Sequence, residues 1–364
     1  MYKLFPILFF VFLLCKSAES QNLDSASVNI FEQQFSDSIS QINKQNENLR
    51  KSRDYYNKGL HLLKNENYIE AIPYFNNAII IDSIFFEAYF SRGKCHEDSD
   101  HILAIADYLK SFELDSTNFL PLYTIANLYF KTNKVLAEEM YATICSLNAN
   151  EYKAFSQRGI IAFTNAKYEE AQQLFSLSLS IKKNSYTLND RASCYRKLDK
   201  LDLAIIDYLA AIDLNPNLAF IYSNLGSVYA KLGEIDRAIS FYDLAISKDA
   251  NYAFSYSNKA SVLLNVNEIE KAKIVLDKAL VVDSKCAPVY NNIGVINHKL
   301  KKYNEAILAF DNAIKLDINY AKAYLNRGIS KQMIRDEIGA CFDWGKADEL
   351  GIKVAKKYLS NDCE

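Results

Sequence analysis

The chain has 364 residues, of which 50% are apolar and 24% are charged, a composition typical of an ordered protein. Its 42 basic and 44 acidic residues give a formal net charge of −2, which indicates neither general nucleic-acid binding nor an acidic tail. A single compact core is strained at this length, whereas a series of small packed units avoids that strain.

The amino terminus has the pattern of a secretory signal peptide over residues 1–20. Lys3 precedes the apolar run 4–14, and the small residues within 17–20 predict cleavage before Gln21. The run is too short to span a bilayer as a helix. We therefore expect an exported protein, periplasmic or secreted. Lipid anchoring at Cys15 is the alternative. A lipoprotein signal requires a small residue just before the cysteine, and Leu14 is not small.

Residues 21–51 are polar but carry an apolar heptad. Val28, Phe35, Ile42 and Leu49 lie seven residues apart. This spacing predicts an amphipathic N-terminal helix. Two interpretations stay open: the helix packs back on the first repeat and caps it, or it forms a coiled coil with a second copy of the chain.

Alanines that recur every 33 or 34 residues organise the rest of the chain. A fixed period of this length is typical of repeat solenoids. The alanine ladder consists of Ala71, Ala104, Ala137, Ala171, Ala204, Ala238, Ala272, Ala306 and Ala340.

Each ladder alanine belongs to a fixed set of small and large residues. In the eighth period, Phe310 lies four residues after Ala306, and Gly294 lies twelve residues before it. Residues four or seven positions apart share one helix face, so each period predicts two amphipathic helices. The small residues allow the two backbones to approach closely, and the large residues fill the grooves beside the contact.

This pattern resembles the tetratricopeptide repeat (TPR) family over residues 52–354, in roughly nine units. The resemblance implies an all-α fold, a right-handed superhelical α-solenoid of helix-turn-helix units. The last unit resembles the closing unit of bacterial exported TPR arrays. We therefore divide the chain into a signal peptide (1–20), a polar amphipathic helix or linker (21–51), the TPR array (52–354), and a capping helix end with a tail (355–364).

The resemblance also implies a function. TPR arrays are non-catalytic protein–protein interaction scaffolds, and we expect this one to bind an extended peptide or partner segment in its concave groove. Its partners would be other proteins or peptides; we expect no nucleic acid, small-molecule substrate or cofactor. A structural assembly or oligomerisation component of the cell envelope is the second hypothesis, and a metal-dependent enzyme is the third.

A polar row in the same register supplies the candidate site. The row lies two residues before the small residue of each first helix, and in the last four units it holds asparagine: Asn224, Asn258, Asn292 and Asn326. In TPR proteins with asparagines at this position, the amides bind a peptide backbone, because an amide offers both a donor and an acceptor. The alternative is a solvated face. The column just before this row is aromatic in the first three units and small and polar later, which predicts two kinds of groove surface.

No catalytic or metal site is predicted. Residues 95–101 include Cys, His, Glu and Asp, but their spacing matches no zinc motif, so we expect a solvated turn there. Of the six cysteines left after signal cleavage, only Cys341 and Cys363 form a candidate disulfide pair. The other four are expected to be small core residues.

Overall fold

The computed structural model describes residues 25–363, and over this range its regular structure is entirely α-helical. The predicted signal peptide and the alternative anchor at Cys15 lie outside the described residues. The helices are α1 (Ser25–Lys64), α2 (Tyr68–Ile81), α3 (Phe86–His96), α4 (His101–Leu114), α5 (Leu120–Thr132), α6 (Lys134–Leu147), α7 (Tyr152–Thr164), α8 (Tyr168–Ile181), α9 (Ser185–Lys197), α10 (Leu201–Leu214), α11 (Ala219–Lys231), α12 (Ile235–Lys248), α13 (Ala253–Asn265), α14 (Ile269–Val282), α15 (Ala287–Lys299), α16 (Tyr303–Leu316), α17 (Ala321–Met333), α18 (Glu337–Glu349) and α19 (Ala355–Asp362).

The chain divides into two compact units, residues 1–140 and 141–364, and the division falls inside α6. The described part of the first unit contains the pairs α1–α2 and α3–α4, followed by α5. The second unit contains six consecutive pairs, from α7–α8 to α17–α18, and ends with α19. The two helices of each of these pairs pack along one another. This repetition of helix-turn-helix units is the α-solenoid that the sequence predicts.

The small residues and the ladder alanines meet inside each pair, as predicted. Ala306 and Phe310 on α16 are fully buried. A methyl group at Gly294 on α15 would lie 2.5 Å from Cε1 of Phe310, which is closer than packed atoms approach. The aromatic ring that lies against the backbone therefore requires a glycine at this position. The same holds in the fourth period, where a methyl group at Gly159 would lie 2.6 Å from Cε1 of Phe175.

A residue with left-handed backbone geometry follows the first helix in every described pair except α3–α4. Lys301, with φ of 60°, follows α15 in this way. Its N–H donates to the carbonyl of His298 at 2.9 Å, and the N–H of Lys302 donates to the carbonyl of Asn297 at 2.9 Å. These two bonds satisfy the last carbonyls of the helix and turn the chain toward its partner helix.

The first helices of the second unit also pack on one another. Direct contacts join α9 to α11, α11 to α13, α13 to α15 and α15 to α17. Within residues 141–363, no second helix packs comparably on the second helix of the next pair. The first helices therefore lie on the inner side of this stack, where the asparagine row is located.

Helix α1 contradicts one of the two sequence interpretations of residues 21–51, the one in which this segment packs back on the first repeat. It runs unbroken from Ser25 to Lys64, so the predicted boundary between residues 51 and 52 falls inside a helix. Ser52 is its first buried residue among those whose side chains are described, and the Ser52 hydroxyl donates to the carbonyl of Ala78 at 2.9 Å. Residues 32–51 are all exposed or half-exposed. They extend the first helix of the array and do not fold back to cap it.

Helix α19 closes the second unit as the sequence predicts. Ala355 is fully buried, and the ring of Tyr358 stacks on Trp344 with 5.0 Å between centroids. The candidate pair Cys341 and Cys363 is bonded and ties the end of α19 to α18. The four cysteines outside this disulfide are buried, in agreement with their expected place in the core: Cys95, Cys145, Cys194 and Cys286.

Candidate functional site

The four asparagines occupy one position on the successive first helices α11, α13, α15 and α17. Each side-chain amide nitrogen donates to the residue 35 positions earlier, on the preceding first helix. The contacts are Asn224 Nδ2 to Asn189 Oδ1 at 2.9 Å, Asn258 Nδ2 to Ser223 Oγ at 3.2 Å, Asn292 Nδ2 to Ser257 Oγ at 3.1 Å and to Ser257 O at 2.9 Å, and Asn326 Nδ2 to Asn291 Oδ1 at 2.9 Å.

The row is therefore an internal ladder as well as a candidate binding surface. Asn292 is 7% exposed, and the other three are half-buried, so none of the four is a fully exposed side chain. The carbonyl oxygen of Asn292 also lies 3.5 Å from the amide nitrogen of Asn291. Within the described chain, the carbonyl oxygens of Asn224, Asn258 and Asn326 accept no hydrogen bond. These three amides thus keep an unused acceptor, while Asn292 is engaged on both sides.

Four residues of the column before the row are not groove surface in the second unit, whereas Ser156 and Leu325 of the same column are half-buried. Asn189, Ser223, Ser257 and Asn291 are all 8% exposed or less. They are the acceptors of the asparagine ladder, which explains why they are small and polar. The prediction that these small polar side chains form a second kind of groove surface is therefore wrong, because they lie between adjacent helices.

The row continues before the asparagines, and its member in the preceding repeat borders a cavity. This member is Asp190 on α9, in the fifth repeat. A cavity of about 240 Å³, which we call the charged slot, is lined by Ile160 and Phe163 of α7, Phe175 of α8, and Asp190, Ser193 and Arg196 of α9.

The Asp190 carboxylate is unusual in its surroundings. It accepts a hydrogen bond from Asn189 Nδ2 at 3.1 Å and has no ion-pair partner among the described residues. Burial raises its pKa to about 6, although the bond from Asn189 lowers it. Because Asn189 also accepts from Asn224, hydrogen bonds connect Asp190 to the first asparagine of the ladder. The aspartate in a row of amides was visible in the sequence, but the cavity beside it was not.

The segment 95–101 has structural roles in the first unit. The Asp100 carboxylate caps α4 by accepting from the N–H groups of Ile102 and Leu103 at 2.9 and 3.0 Å. Glu97 accepts a hydrogen bond from the hydroxyl of Tyr108, and burial raises the pKa of the Cys95 thiol to about 11. These residues do not converge: within residues 25–363 no group of three or more His, Cys, Asp or Glu side chains could hold a metal ion.

None of the helices over residues 25–363 combines the length and the apolar character that crossing a bilayer requires. The stacked pairs and their 33- or 34-residue register define an α-solenoid repeat protein. The sequence comparison specifies the family. A TPR repeat model matches residues 193–233, and two tetratricopeptide repeat models match 221–252 and 287–320. The chain is a tetratricopeptide repeat protein.

Individual relatives support the same assignment. Tetratricopeptide repeat protein 6 of Homo sapiens is 26% identical over 163 residues, which are 43% of this chain and 31% of that protein. Heat shock protein STI1 of Saccharomyces cerevisiae is 35% identical over 83 residues, 22% of this chain and 14% of that protein. The chain thus spans less than a third of the length of either relative.

A solved structure shares the fold. The tetratricopeptide repeat protein from Parabacteroides merdae superposes with a TM-score of 0.56 at 19% identity, covering 66% of this chain and 96% of that one. This likeness shows the fold alone. The TPR repeats and the related proteins support a protein–protein interaction scaffold, a class that is typically non-catalytic.

Proposed function

We propose that the protein is a non-catalytic scaffold whose second unit binds an extended segment of a partner protein along its first helices. The observation that carries this proposal is the row of asparagines at one position of four successive first helices. Three of them keep an unused carbonyl acceptor. The spacing repeats from helix to helix, so an extended chain can meet the same group several times.

The chemistry of the row suits a peptide backbone. The free carbonyl oxygens of Asn224, Asn258 and Asn326 can accept backbone N–H groups, and each amide nitrogen retains a second proton that can be donated to a backbone carbonyl. The internal bonds fix the orientation of these amides before a partner arrives, which reduces the entropy lost on binding.

The test uses the difference between Asn292 and its three neighbours. Peptides that bind the wild-type protein are selected from a phage-displayed library, and their affinities are measured by calorimetry. Replacing Asn224, Asn258 and Asn326 with Ala should weaken binding by at least about tenfold, because several charge-neutral hydrogen bonds are lost.

Asn292→Ala is the matched control. It breaks the same internal ladder but removes no free acceptor, so it should lower stability and leave affinity nearly unchanged. Equal affinity in the folded triple variant would remove the role assigned to the row.

A second candidate function is self-assembly through α1. Residues 32–51 of this helix are not buried. Phe35 and Ile42 of the heptad are half-exposed, and so is Ile39, which lies on the same side of the helix. We propose that two copies pair along this seam, as a component of an envelope complex would. Sedimentation of the chain from Gln21 should then show a concentration-dependent dimer, while a chain lacking residues 21–48 sediments as a monomer. A monomeric full-length protein would argue against assembly.

Export is the third part of the proposal. The disulfide between Cys341 and Cys363 is of the kind that persists in oxidising compartments, and the pattern of residues 1–20 is that of a signal peptide. The intact mass of the protein from its source cells tests this directly. A chain that begins at Gln21 supports cleavage, an acylated chain that begins at Cys15 supports the anchor, and an unprocessed chain contradicts both.

A further inference from the structure

The charged slot holds two opposite charges that do not neutralise each other. The carboxylate of Asp190 and the guanidinium of Arg196 border the same cavity, but they form no salt bridge with each other. Neither has another ion-pair partner among residues 25–363. The Nε atom of Arg196 is in addition buried without a hydrogen bond. Unpaired charges in a partly buried site are costly for folding unless a ligand completes them.

The arrangement of the slot separates the two charges along one helix. Asp190, Ser193 and Arg196 follow one another at intervals of three residues on α9, so they form a polar row about 9 Å long at the backbone. The Ser193 hydroxyl is already bonded to the hydroxyl of Tyr208 at 2.9 Å. The two ends of the row are therefore the groups left for a ligand.

The opposite wall of the slot is apolar. Ile160 and Phe163 lie three residues apart on α7, and Phe175 comes from α8. The volume of about 240 Å³ is below the range usual for drug-sized ligands and suits one amino-acid residue. The combination of Asp, Ser and Arg at these three positions occurs in this chain only in the fifth repeat; the corresponding residues of the next repeat are Asn224, Ser227 and Ala230.

We propose that the charged slot binds a single α-amino-acid unit with a free ammonium group and an apolar side chain. The ammonium would pair with Asp190, the carboxylate or first peptide carbonyl would face Arg196, and the side chain would pack on Ile160, Phe163 and Phe175. The unit is either a free amino acid or the amino-terminal residue of a peptide. This site is independent of the extended segment proposed above, since it uses neither the free acceptors of the asparagines nor a long chain.

The probes are L-phenylalanine, N-acetyl-L-phenylalanine, L-phenylalanine amide and the dipeptide Phe-Gly, each titrated into the full protein by calorimetry. Saturable binding of L-phenylalanine or Phe-Gly is expected, and acetylation should abolish it because the ammonium is lost. Tight binding of the amide and the dipeptide identifies a peptide amino terminus. Binding of the free amino acid alone identifies a small-molecule ligand.

Two variants distinguish the slot from nonspecific binding. Asp190→Asn should weaken binding by about tenfold to a hundredfold, since a charge-assisted bond is removed. Asp213→Asn removes an exposed carboxylate in the same repeat and should leave the affinity unchanged. The double variant Asn258→Ala and Asn326→Ala leaves the hydrogen bonds from Asn224 through Asn189 to Asp190 in place and should bind these probes normally, so the two sites can fail separately. No binding of any probe, or equal binding by the folded Asp190→Asn variant, would overturn the proposal.

Discussion

At the scale of single residues, the glycines divide into those that the fold requires and those that it does not. A methyl group at Gly294 would lie 2.5 Å from the ring of Phe310, whereas one at Gly345, inside α18, would meet no atom within 4 Å. Gly294→Ala should lower the free energy of unfolding by about 1–2 kcal/mol, because overpacking outweighs the gain in helix propensity. Gly345→Ala should raise it by about 0.5–1 kcal/mol. Urea denaturation of both variants measures the difference. A Gly294→Ala protein more stable than the wild type would contradict the close contact between Gly294 and the ring of Phe310.

Asp190 is the residue at which stability and binding are expected to conflict. Its pKa of about 6 lies above the ordinary value of 3.8, because burial disfavours the charged form. The native state therefore holds its proton more tightly than the unfolded state, so stability falls as the pH rises through the interval between these values. The other titratable groups nearby are Cys194 and Arg196 on the same helix and Tyr208 on α10, while the residues of α7 and α8 that line the cavity are apolar.

Replacing this carboxylate should therefore stabilise the protein only where the carboxylate is charged. At pH 7.5, Asp190→Asn should raise the free energy of unfolding by about 1–2 kcal/mol, allowing for the partial exposure of the side chain. At a pH near 3.5, the variant and the wild type should be equally stable, because both side chains are neutral. Thermal melts across this range provide the measurement. A difference that persists at low pH would show that packing rather than charge is responsible.

At the scale of elements, the disulfide holds the last helix in place. It closes a loop of 22 residues between α18 and the end of α19, which corresponds to about 3 kcal/mol in the chain-entropy description. Reduction should lower the melting temperature of the wild-type protein and speed hydrogen exchange in α19, leaving the inner pairs protected. The variant with both Cys341→Ser and Cys363→Ser should match the reduced protein and should not respond to reductant. A melting temperature that is insensitive to reduction would indicate that the stacking of Tyr358 on Trp344 suffices.

The positions of the helices along the chain could largely be predicted from the sequence. The hydrogen bonds between helices of neighbouring repeats could not. The period of small and large residues identified the helix pairs because the same close contact, such as Gly294 against Phe310, recurs in them. The fusion of residues 25–51 with the first repeat was missed, because a polar heptad does not reveal where a helix begins. The asparagine row was found by register alone. Its internal bonds join residues 35 positions apart, and only packed helices reveal that the partner column is buried.

At the scale of the whole molecule, the constant repeat register means that one whole repeat can be removed from the second unit without changing how the remaining repeats align. Residues 253–286 form one period of 34 residues, and the repeats on both sides of it begin with alanine. Without this period, the residue 35 positions before Asn292 becomes Ser223, which is the present partner of Asn258. After the deletion, Asn292 can therefore donate to Ser223, and α15 can pack on α11 as it now packs on α13.

Deletion of residues 253–286 should leave a folded array, since each repeat depends mainly on its immediate neighbours. We expect unchanged helicity per residue by circular dichroism and a melting temperature lowered by about 2–8 °C, the shift that the loss of a kcal/mol or two produces in a domain. Deletion of residues 253–268 is the control, because it removes α13 with the turn after it, keeps α14 whole, and brings α14 against α12 out of register. That protein should lose helicity and become sensitive to proteolysis. If the 34-residue deletion behaves like this control, the stability of the second unit depends on contacts beyond neighbouring repeats.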